Sequence, residues 1–326
     1  MRSATTTSSL SISAARRAAR LGLASALASA PACTPKTDRA EASPPAPATA
    51  SDAADAPVDD EAAARVEEAR PRGRTPLAGA AERFAAAGVD GAFILRRGDG
   101  DDQVFGGELV DARRVPCSTF KIANALIAVE EGVVDGPDFT LEWDGVKRWS
   151  DAWNRDHDLR SAMEVSAVWY FQELARRIGA AAMASRLAAL DYGNAEIGDA
   201  VDMFWLVGPL EISAAEELEF VDRLVRGALP VSERAAAIVR DVMPTREFGA
   251  ARVRAKTGTC VFDDDGDDRP PHAWLVGWVE RGDVVDGTFA LMVTGPAQFE
   301  PLTRVRWPLV AGLLEDAGVL AAGAGG

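Results

Sequence analysis

The chain has 326 residues, 48% of them hydrophobic, which is enough for one large buried core or two small ones. Its formal net charge of −15 argues against a nucleic-acid partner, because a phosphate-binding face needs clustered lysine and arginine. Only two histidines and three cysteines occur, with no CxxC or HExxH motif, so zinc sites of the usual spacing are excluded and no metal is expected.

The first 32 residues are typical of a secretory signal. Arg16, Arg17 and Arg20 precede a mildly apolar stretch at 21–30, which is too short to span a bilayer. Two cleavage sites compete. Cleavage after the A-x-A pattern at 30–32 would leave a soluble chain, whereas a lipid on Cys33 would anchor a lipoprotein to the outer membrane. In both cases we expect an exported, periplasmic protein.

Residues 33–76 are predicted to be a disordered linker. The segment is rich in alanine, proline and acidic residues, and no aromatic side chain occurs before Phe84. Such a composition offers too little large apolar surface to offset the entropy of ordering. We therefore expect a flexible spacer followed by one folded domain at 77–326.

Regular elements are predicted throughout this domain. A strand at 91–95 precedes a glycine- and aspartate-rich turn at 98–102, and a helix is predicted from Ser118 to Glu131, ending at Gly132. Further helices are predicted near 166–178, 181–190, 213–227, 232–243 and 302–316, and strands at 251–257, 273–280 and 287–294. Strands at both ends with helices between them indicate an α+β fold with a helical insert.

A serine and a lysine three residues apart are the first candidates for chemistry. On a helix, Ser118 and Lys121 would share a face within one turn, so a neutral lysine could act as base for the serine. Burial lowers the pKa of lysine and favours that neutral form. S-x-x-K alone is a weak signal, since an N-terminal serine and a surface lysine give the same pattern.

A second motif strengthens the first. Lys256, Thr257 and Gly258 follow one another at the end of a predicted strand, where glycine lets a ligand approach the backbone. S-x-x-K followed by K-T-G is the pairing found in serine β-lactamases and penicillin-binding proteins. A Ser-His-Asp site would instead have to use His157 or His272, each in an unfavourable local sequence.

Across about residues 85–320 the chain resembles class D (oxacillinase-type) serine β-lactamases. The resemblance rests on six ordered motifs: Pro116-Cys-Ser-Thr-Phe-Lys-Ile122, Ser166-Ala-Val168, Tyr192-Gly-Asn194, Phe204-Trp-Leu206, Lys256-Thr-Gly258 and Trp274-Leu-Val-Gly-Trp278. Cys117 departs from the pattern, because alanine is more usual there. The resemblance implies a serine β-lactamase/penicillin-binding transpeptidase-like fold, with an antiparallel sheet of about five strands flanked by helices and an all-helical subdomain.

The resemblance also implies a mechanism. Ser118 would attack the β-lactam carbonyl, and a CO2-derived carbamate on Lys121 would be the general base in place of any other cofactor. Ser166 and Lys256 would pass a proton to the ring nitrogen. The backbone N–H groups of Ser118 and Thr259 would form the oxyanion hole.

An apolar pocket would suit this base, because it disfavours the ammonium form of the lysine. Phe120, Val168 and Leu206 would be its walls, and the Trp205 indole N–H would hold the carbamate. Trp205 could instead be an ordinary core tryptophan.

Two further roles, substrate binding and site architecture, follow from the resemblance. Thr257 and an arginine near the C-terminus should bind the substrate carboxylate, with Arg306 the first choice and Arg304 the alternative. Tyr192, and with it Asn194, is assigned only to site architecture.

Certain class A carbapenem-hydrolysing enzymes of related fold bridge a cysteine pair at equivalent offsets. By that resemblance we predict a disulfide between Cys117 and Cys260, consistent with an oxidising periplasm. Two buried free thiols are the alternative.

The predicted function is hydrolysis of β-lactam antibiotics. The alternative from the same motifs is a β-lactam-binding sensor or penicillin-binding module that is acylated without turnover. A tethered envelope-binding protein that has lost catalysis is disfavoured by the intact Ser118, Lys121, Ser166 and Lys256. The preferred β-lactams and the oligomeric state do not follow from the sequence.

Overall fold

The structure is a computed structural model that describes residues 72–261, 269–295 and 299–323. The predicted signal, the Cys33 alternatives and most of the predicted linker lie outside the described residues. Within them, no helix combines the length and the hydropathy that crossing a membrane requires.

A seven-stranded sheet, counted over the described residues, forms the centre of the fold. Its strands are β1 (Arg74–Pro76), β2 (Asp90–Arg96), β3 (Asp102–Phe105), β4 (Thr245–Phe248), β5 (Ala251–Cys260), β6 (His272–Arg281) and β7 (Val284–Thr294). They are arranged in the order β1-β3-β2-β7-β6-β5-β4, and every pair is antiparallel except β1 with β3.

The expectation of about five strands is therefore too low. The strands that escaped prediction, β1, β3 and β4, have three or four residues each and lack a run of buried apolar side chains. β1 also lies at the end of the predicted linker, so the folded region begins by Arg74 and not at Leu77. Its residues pair with Asp102–Val104, a long-range contact that local composition does not encode.

Helices cover both faces of the sheet. They are α1 (Ala80–Ala87), α2 (Lys121–Glu130), α3 (Leu159–Glu164), α4 (Val168–Ile178), α5 (Ala180–Leu190), α6 (Phe204–Val207), α7 (Ala214–Arg226), α8 (Glu233–Val242) and α9 (Phe299–Asp316). Most agree with the predicted helices. The start of α2 differs, because Ser118 lies in a separate 3₁₀ turn, Cys117–Phe120, and the α-helix begins at Lys121.

Strand β6 shows how the two faces are built. Ala273 and Leu275 belong to the core shared with α1 and α9, whereas Trp274, Val276 and Trp278 face a larger core shared with the remaining helices. This alternation follows from the two-residue repeat of a strand. Because both faces are covered, β6 reads in the sequence as an almost continuous apolar run.

The larger core surrounds α2. This helix packs against α4, α5 and α8, and its residues from Lys121 to Val129 are buried. A helix enclosed in this way buries whatever side chain occupies its first turn. The packing of α2 against α4, α5 and α8 therefore buries the amine of Lys121 away from solvent.

Candidate active site

Ser118 and Lys121 are in contact at the start of α2. Lys121 Nζ donates a hydrogen bond to Ser118 Oγ at 2.8 Å. The lysine side chain is fully buried, whereas Ser118 remains partly exposed. The structure thus places an accessible hydroxyl against an amine that solvent does not reach.

Ser166 extends this pair into a chain of four residues. Its Oγ lies 2.8 Å from Lys121 Nζ and 3.0 Å from Lys256 Nζ, and its carbonyl oxygen lies 2.9 Å from Lys121 Nζ. The φ of Ser166 is +57°, in the left-handed region that few non-glycine residues adopt. This backbone conformation just before α4 lets both the hydroxyl and the carbonyl meet the same amine.

The pKa values of both lysines are lowered. Burial lowers the pKa of Lys121 well below its ordinary value, and the positive charge of Lys256 lowers it further. Burial, together with the charge of Arg306, lowers the pKa of Lys256 to about 7. The site therefore favours a neutral amine on Lys121, the form that can accept a proton from a serine.

Aromatic side chains of α6 pack against the 3₁₀ turn that precedes Lys121. The Phe120 ring lies 5.1 Å from the Trp205 ring and 5.0 Å from the Phe204 ring, centroid to centroid. The Trp205 indole N–H is buried and has no hydrogen-bond partner among the described residues. Val168 and Leu206 are half-buried, and Leu206 packs against this core.

Phe171 is an apolar neighbour of the Lys121 amine that the motifs did not indicate. Lys121 Nζ lies 5.6 Å from the centroid of its ring. It occupies the buried face of α4, and its position in the sequence resembles that of any core phenylalanine.

Strand β5 passes directly behind the nucleophile. A Cβ atom at Gly258 would lie 2.7 Å from the carbonyl oxygen of Pro116, and 3.2 Å from Thr119 Cγ2 and from Trp274 Cδ1. Only glycine fits there, which explains the third residue of the K-T-G motif. Thr257 and Thr259, on either side of it, are partly exposed.

The structure distinguishes the two arginines proposed for substrate binding. Arg306, on α9, is buried, and its Nη1 donates hydrogen bonds to Gly258 O at 2.7 Å and Thr259 Oγ1 at 3.1 Å. Burial lowers its pKa to about 10. Arg304 has an exposed side chain on another side of the helix. Arg306 is thus the arginine placed at the end of the K-T-G strand.

Cys117 and Cys260 are joined by a disulfide, with Cα atoms 5.8 Å apart. This is the pairing that the resemblance implied. With Val115 the two residues form a small buried cluster of their own. The bridge connects the residue before Ser118 to the residue after Thr259.

Tyr192 and Asn194 lie in the loop that follows α5. Tyr192 is fully buried, with its OH 3.3 Å from Glu217 Oε1. The Asn194 side chain donates to Pro209 O at 2.9 Å and accepts from Glu211 N at 3.1 Å. Asn194 connects this loop to the segment that follows α6, and Tyr192 connects it to α7.

Glu217 is a second residue that the sequence analysis missed. Its carboxylate is fully buried behind the nucleophile turn, 2.6 Å from Thr119 Oγ1. A usable signal existed, because Ala214, Glu217 and Val221 share the apolar face of α7 at helical spacing. A glutamate on that face is unusual and marks a buried acid.

Neither histidine is bonded to the nucleophile. The ring nitrogens of His157 lie 3.0 Å from Ser161 Oγ and from Ala152 O, while His272 Nε2 lies 2.8 Å from Val115 O. In the described part of the chain, no cluster of three or more histidine, cysteine, aspartate or glutamate side chains could hold a metal ion.

The chain matches the penicillin-binding protein transpeptidase domain family over residues 96–304. It is 46% identical to β-lactamase OXA-48 of Klebsiella pneumoniae over 171 residues, which are 52% of this chain and 63% of that protein. It is 37% identical to β-lactamase OXA-10 of Pseudomonas aeruginosa over 203 residues, 61% of this chain and 75% of the relative. The first of these matches thus spans less than two thirds of the relative's length.

A solved structure is also similar to this chain. The crystal structure of the class D β-lactamase YbXI from Nostoc superposes with a TM-score of 0.68 and 31% identity, covering 74% of this chain and 99% of that one. A more distant relative is the regulatory protein BlaR1 of Bacillus licheniformis, 30% identical over 203 residues, 62% of this chain and 32% of that protein.

Proposed function

This chain belongs to the class D family of serine β-lactamases, and from that premise we propose that it hydrolyses β-lactams through an acyl-enzyme on Ser118. One observation carries the proposal. A fully buried Lys121 amine lies 2.8 Å from both Ser118 Oγ and Ser166 Oγ, so the nucleophile and its proton path are already assembled.

In the acylation step the Ser118 oxygen attacks the lactam carbonyl carbon and its proton passes to the base at Lys121. Negative charge develops on the carbonyl oxygen, where the backbone N–H groups of Ser118 and Thr259 are assigned as donors. The close approach of β5 at Gly258 supports this assignment, because it brings the two backbone segments together.

The C–N bond of the β-lactam ring breaks as the tetrahedral intermediate collapses. The departing ring nitrogen then needs a proton. Ser166 Oγ is the donor that the contacts favour, since it lies within hydrogen-bond distance of both lysine amines. Lys256, with a pKa of about 7, can replenish that proton near neutral pH.

The pocket fits a carboxylated Lys121. Carboxylation consumes a neutral amine, which burial and the neighbouring charge of Lys256 favour. The buried Trp205 indole N–H can only donate, and it has no partner within the described part of the chain, which suits a carbamate oxygen. When present, the carbamate supplies the general base for attack by Ser118 and by the hydrolytic water. Phe120, Val168 and Leu206 are assigned as the apolar walls that would keep bulk solvent from it.

The substrate carboxylate is assigned to Thr257 and Arg306. The Arg306 guanidinium is already fixed against the Gly258 carbonyl and the Thr259 hydroxyl, so its charge is held at the edge of β5. A cation there attracts the carboxylate that β-lactam antibiotics carry beside the ring.

We also propose export to the periplasm through residues 1–32, with Cys33 either near a soluble N-terminus or carrying a lipid. The basic n-region and short apolar stretch support this proposal. The Cys117–Cys260 disulfide is consistent with an oxidising compartment.

Steady-state hydrolysis of a chromogenic cephalosporin, with and without added bicarbonate, tests the mechanism. We expect multiple turnovers, stimulation by bicarbonate, and a loss of at least about 100-fold in kcat for Lys121→Ala, since general-base catalysis contributes about that much. A carbamate carbon resonance should appear with 13C-bicarbonate and be absent in Lys121→Ala. Turnover that ignores bicarbonate and survives Lys121→Ala would contradict the carbamate mechanism.

The relative BlaR1 makes a sensor the second candidate. One stoichiometric burst followed by no turnover would indicate this sensor or penicillin-binding activity. Ser118→Ala is the matched control, because it must abolish the burst as well as turnover.

A further inference from the structure

Glu217 lies directly behind the turn that carries the nucleophile. Its Oε1 is 2.6 Å from Thr119 Oγ1, and Thr119 is the residue after Ser118. The Tyr192 OH lies 3.3 Å from the same oxygen, and Oε2 is buried without a hydrogen-bond partner among the described residues. This acid has no role in the proposed acylation and hydrolysis steps.

The hydrogen bonds of the Thr119 hydroxyl indicate whether the Glu217 carboxyl is protonated. Thr119 Oγ1 lies 2.9 Å from the carbonyl oxygen of Pro116 and 2.6 Å from Glu217 Oε1. The hydroxyl has one proton, so it can donate to only one of these oxygens. A carbonyl has no proton to give. Both contacts are therefore satisfied only if Glu217 is protonated and donates to Thr119 while Thr119 donates to Pro116.

The surroundings favour the same state. Glu217 is fully buried, and the adjacent Tyr192 is packed between the rings of Phe120 and Phe220. Burial raises the pKa of Glu217 to about 7, the hydroxyls of Thr119 and Tyr192 oppose the rise, and the charge of Glu216 adds to it.

The ionisable groups on neighbouring elements have other partners. The pairs are Arg96 of β2 with Asp102, Glu219 and Asp222, Arg240 of α8 with Glu233, Glu280 of β6 with Arg254, Asp286 of β7 with Arg281, and Arg113 with Glu216. Glu108, in the 3₁₀ turn Gly107–Val110, is exposed. No ion pair to Glu217 occurs among the described residues, so nothing compensates its negative charge.

We propose that Glu217 is a positioning residue for the nucleophile: its protonated carboxyl holds Thr119, and through it the turn that carries Ser118, and loss of its proton slows acylation. The inference rests on the proposed acylation of Ser118. An ionised Glu217 would take the Thr119 proton for itself, and the Pro116 carbonyl would lose that hydrogen bond. Pro116 O borders Gly258, so the disturbance reaches both sides of the assigned oxyanion hole.

The experiment follows the rate of Ser118 acylation by a fluorescent penicillin between pH 5.5 and 9. In the wild type we expect the rate to decline on the alkaline side, with a midpoint near pH 7. Glu217→Gln has the same shape, can donate to Thr119 and cannot ionise, so its rate at pH 6 should stay within about threefold. The alkaline decline should become smaller in this variant, because only the part caused by loss of the Lys256 proton remains. Glu217→Ala should be slower than Glu217→Gln at pH 6.

Glu219→Gln is the matched control, because Glu219 lies on the same helix but bonds Arg96. It should keep the wild-type pH profile. A Glu217→Gln profile that superimposes on the wild type would overturn the proposal, as would a Glu217→Ala rate equal to that of Glu217→Gln. If Ser118 is acylated but does not turn over, the proposed hydrolysis is wrong. The proposal for Glu217 is still tested in that case, because the experiment measures acylation.

Thermal unfolding gives a readout besides activity. The pKa of Glu217 is raised in the folded state, so between about pH 4.5 and 7 the folded chain holds a proton that the unfolded chain has lost. Stability from this group therefore falls as pH rises through that window. The Tm of Glu217→Gln relative to the wild type should increase from pH 4.5 to pH 8, and a constant difference would contradict a protonated Glu217.

Discussion

At the scale of single residues, the site combines two buried amines with one shared serine hydroxyl. Lys121 and Lys256 both contact Ser166 Oγ, and burial lowers the pKa of each. Two cations so close together in a buried space repel, so protonation of one favours the neutral form of the other. This asymmetry can give one lysine the role of base and the other that of proton donor.

Arg306→Ala should weaken substrate binding. Removing a charged hydrogen-bond partner costs about 1.5–3 kcal/mol, so kcat/KM should fall by about 10- to 100-fold, mainly through a higher KM. Steady-state kinetics with a penicillin checks this. Arg304→Ala, two residues away and exposed, is the matched control and should retain wild-type kinetics. A larger loss in Arg304→Ala would reassign the carboxylate site.

The motifs predicted the catalytic set, and the sequence ranked Arg306 above Arg304 without excluding Arg304. Ser118, Lys121, Ser166 and Lys256 each belong to a short pattern, and the structure brings all four together. Arginines at 304 and 306 differ by about 200° around a helix axis, so one must point away from the sheet. Which one does so depends on how α9 packs against β5 and β6, which is tertiary information.

At the scale of elements, the approach of β5 to the nucleophile turn determines the site geometry. In Gly258→Ala the new Cβ would meet Pro116 O, and one of the two backbones would have to move. A displacement of about 1 Å can reduce catalysis about 100-fold, and overpacking costs about 1–3 kcal/mol of stability. We expect both a lower kcat and a lower Tm.

Gly136→Ala is the control for this prediction. A Cβ there meets nothing within 4 Å, so activity and Tm should hardly change. A Gly258→Ala enzyme with wild-type kcat would show that β5 and the turn can separate without harm to catalysis.

The elements that the sequence predicted are those with a strong local signal. α7 begins at a capping box formed by Ser213 and Glu216 and ends at Gly227, and its predicted range was 213–227. The edge strands β1 and β4 have no such signal, since their side chains are largely exposed and their pairing depends on residues far along the chain. Hydrophobic periodicity detects buried faces, so exposed edges escape it.

At the scale of the whole molecule, the Cys117–Cys260 bridge closes a loop of 143 residues that contains the helical layer. A cross-link over a loop of this length removes a large entropy from the unfolded chain, about 5 kcal/mol in the chain-entropy account. The bridged ends are also held by other contacts, including the Trp274 indole N–H, which donates to Val115 O at 3.1 Å. The bridge should therefore contribute more to stability than to the local arrangement of the site.

The double variant Cys117→Ala/Cys260→Ala should fold and turn over substrate at low temperature, with a Tm lower by about 10 °C or more. Differential scanning calorimetry of both proteins, in a Cys33→Ser background, measures the shift. In the same background, alkylation without prior reduction should leave the mass of the unsubstituted pair unchanged, and alkylation after denaturation and reduction should modify two thiols. Modification of two thiols without reduction would show that the bridge is absent. An unchanged Tm in the double variant would also contradict a structural bridge, because removing a cross-link that constrains the unfolded chain should lower stability.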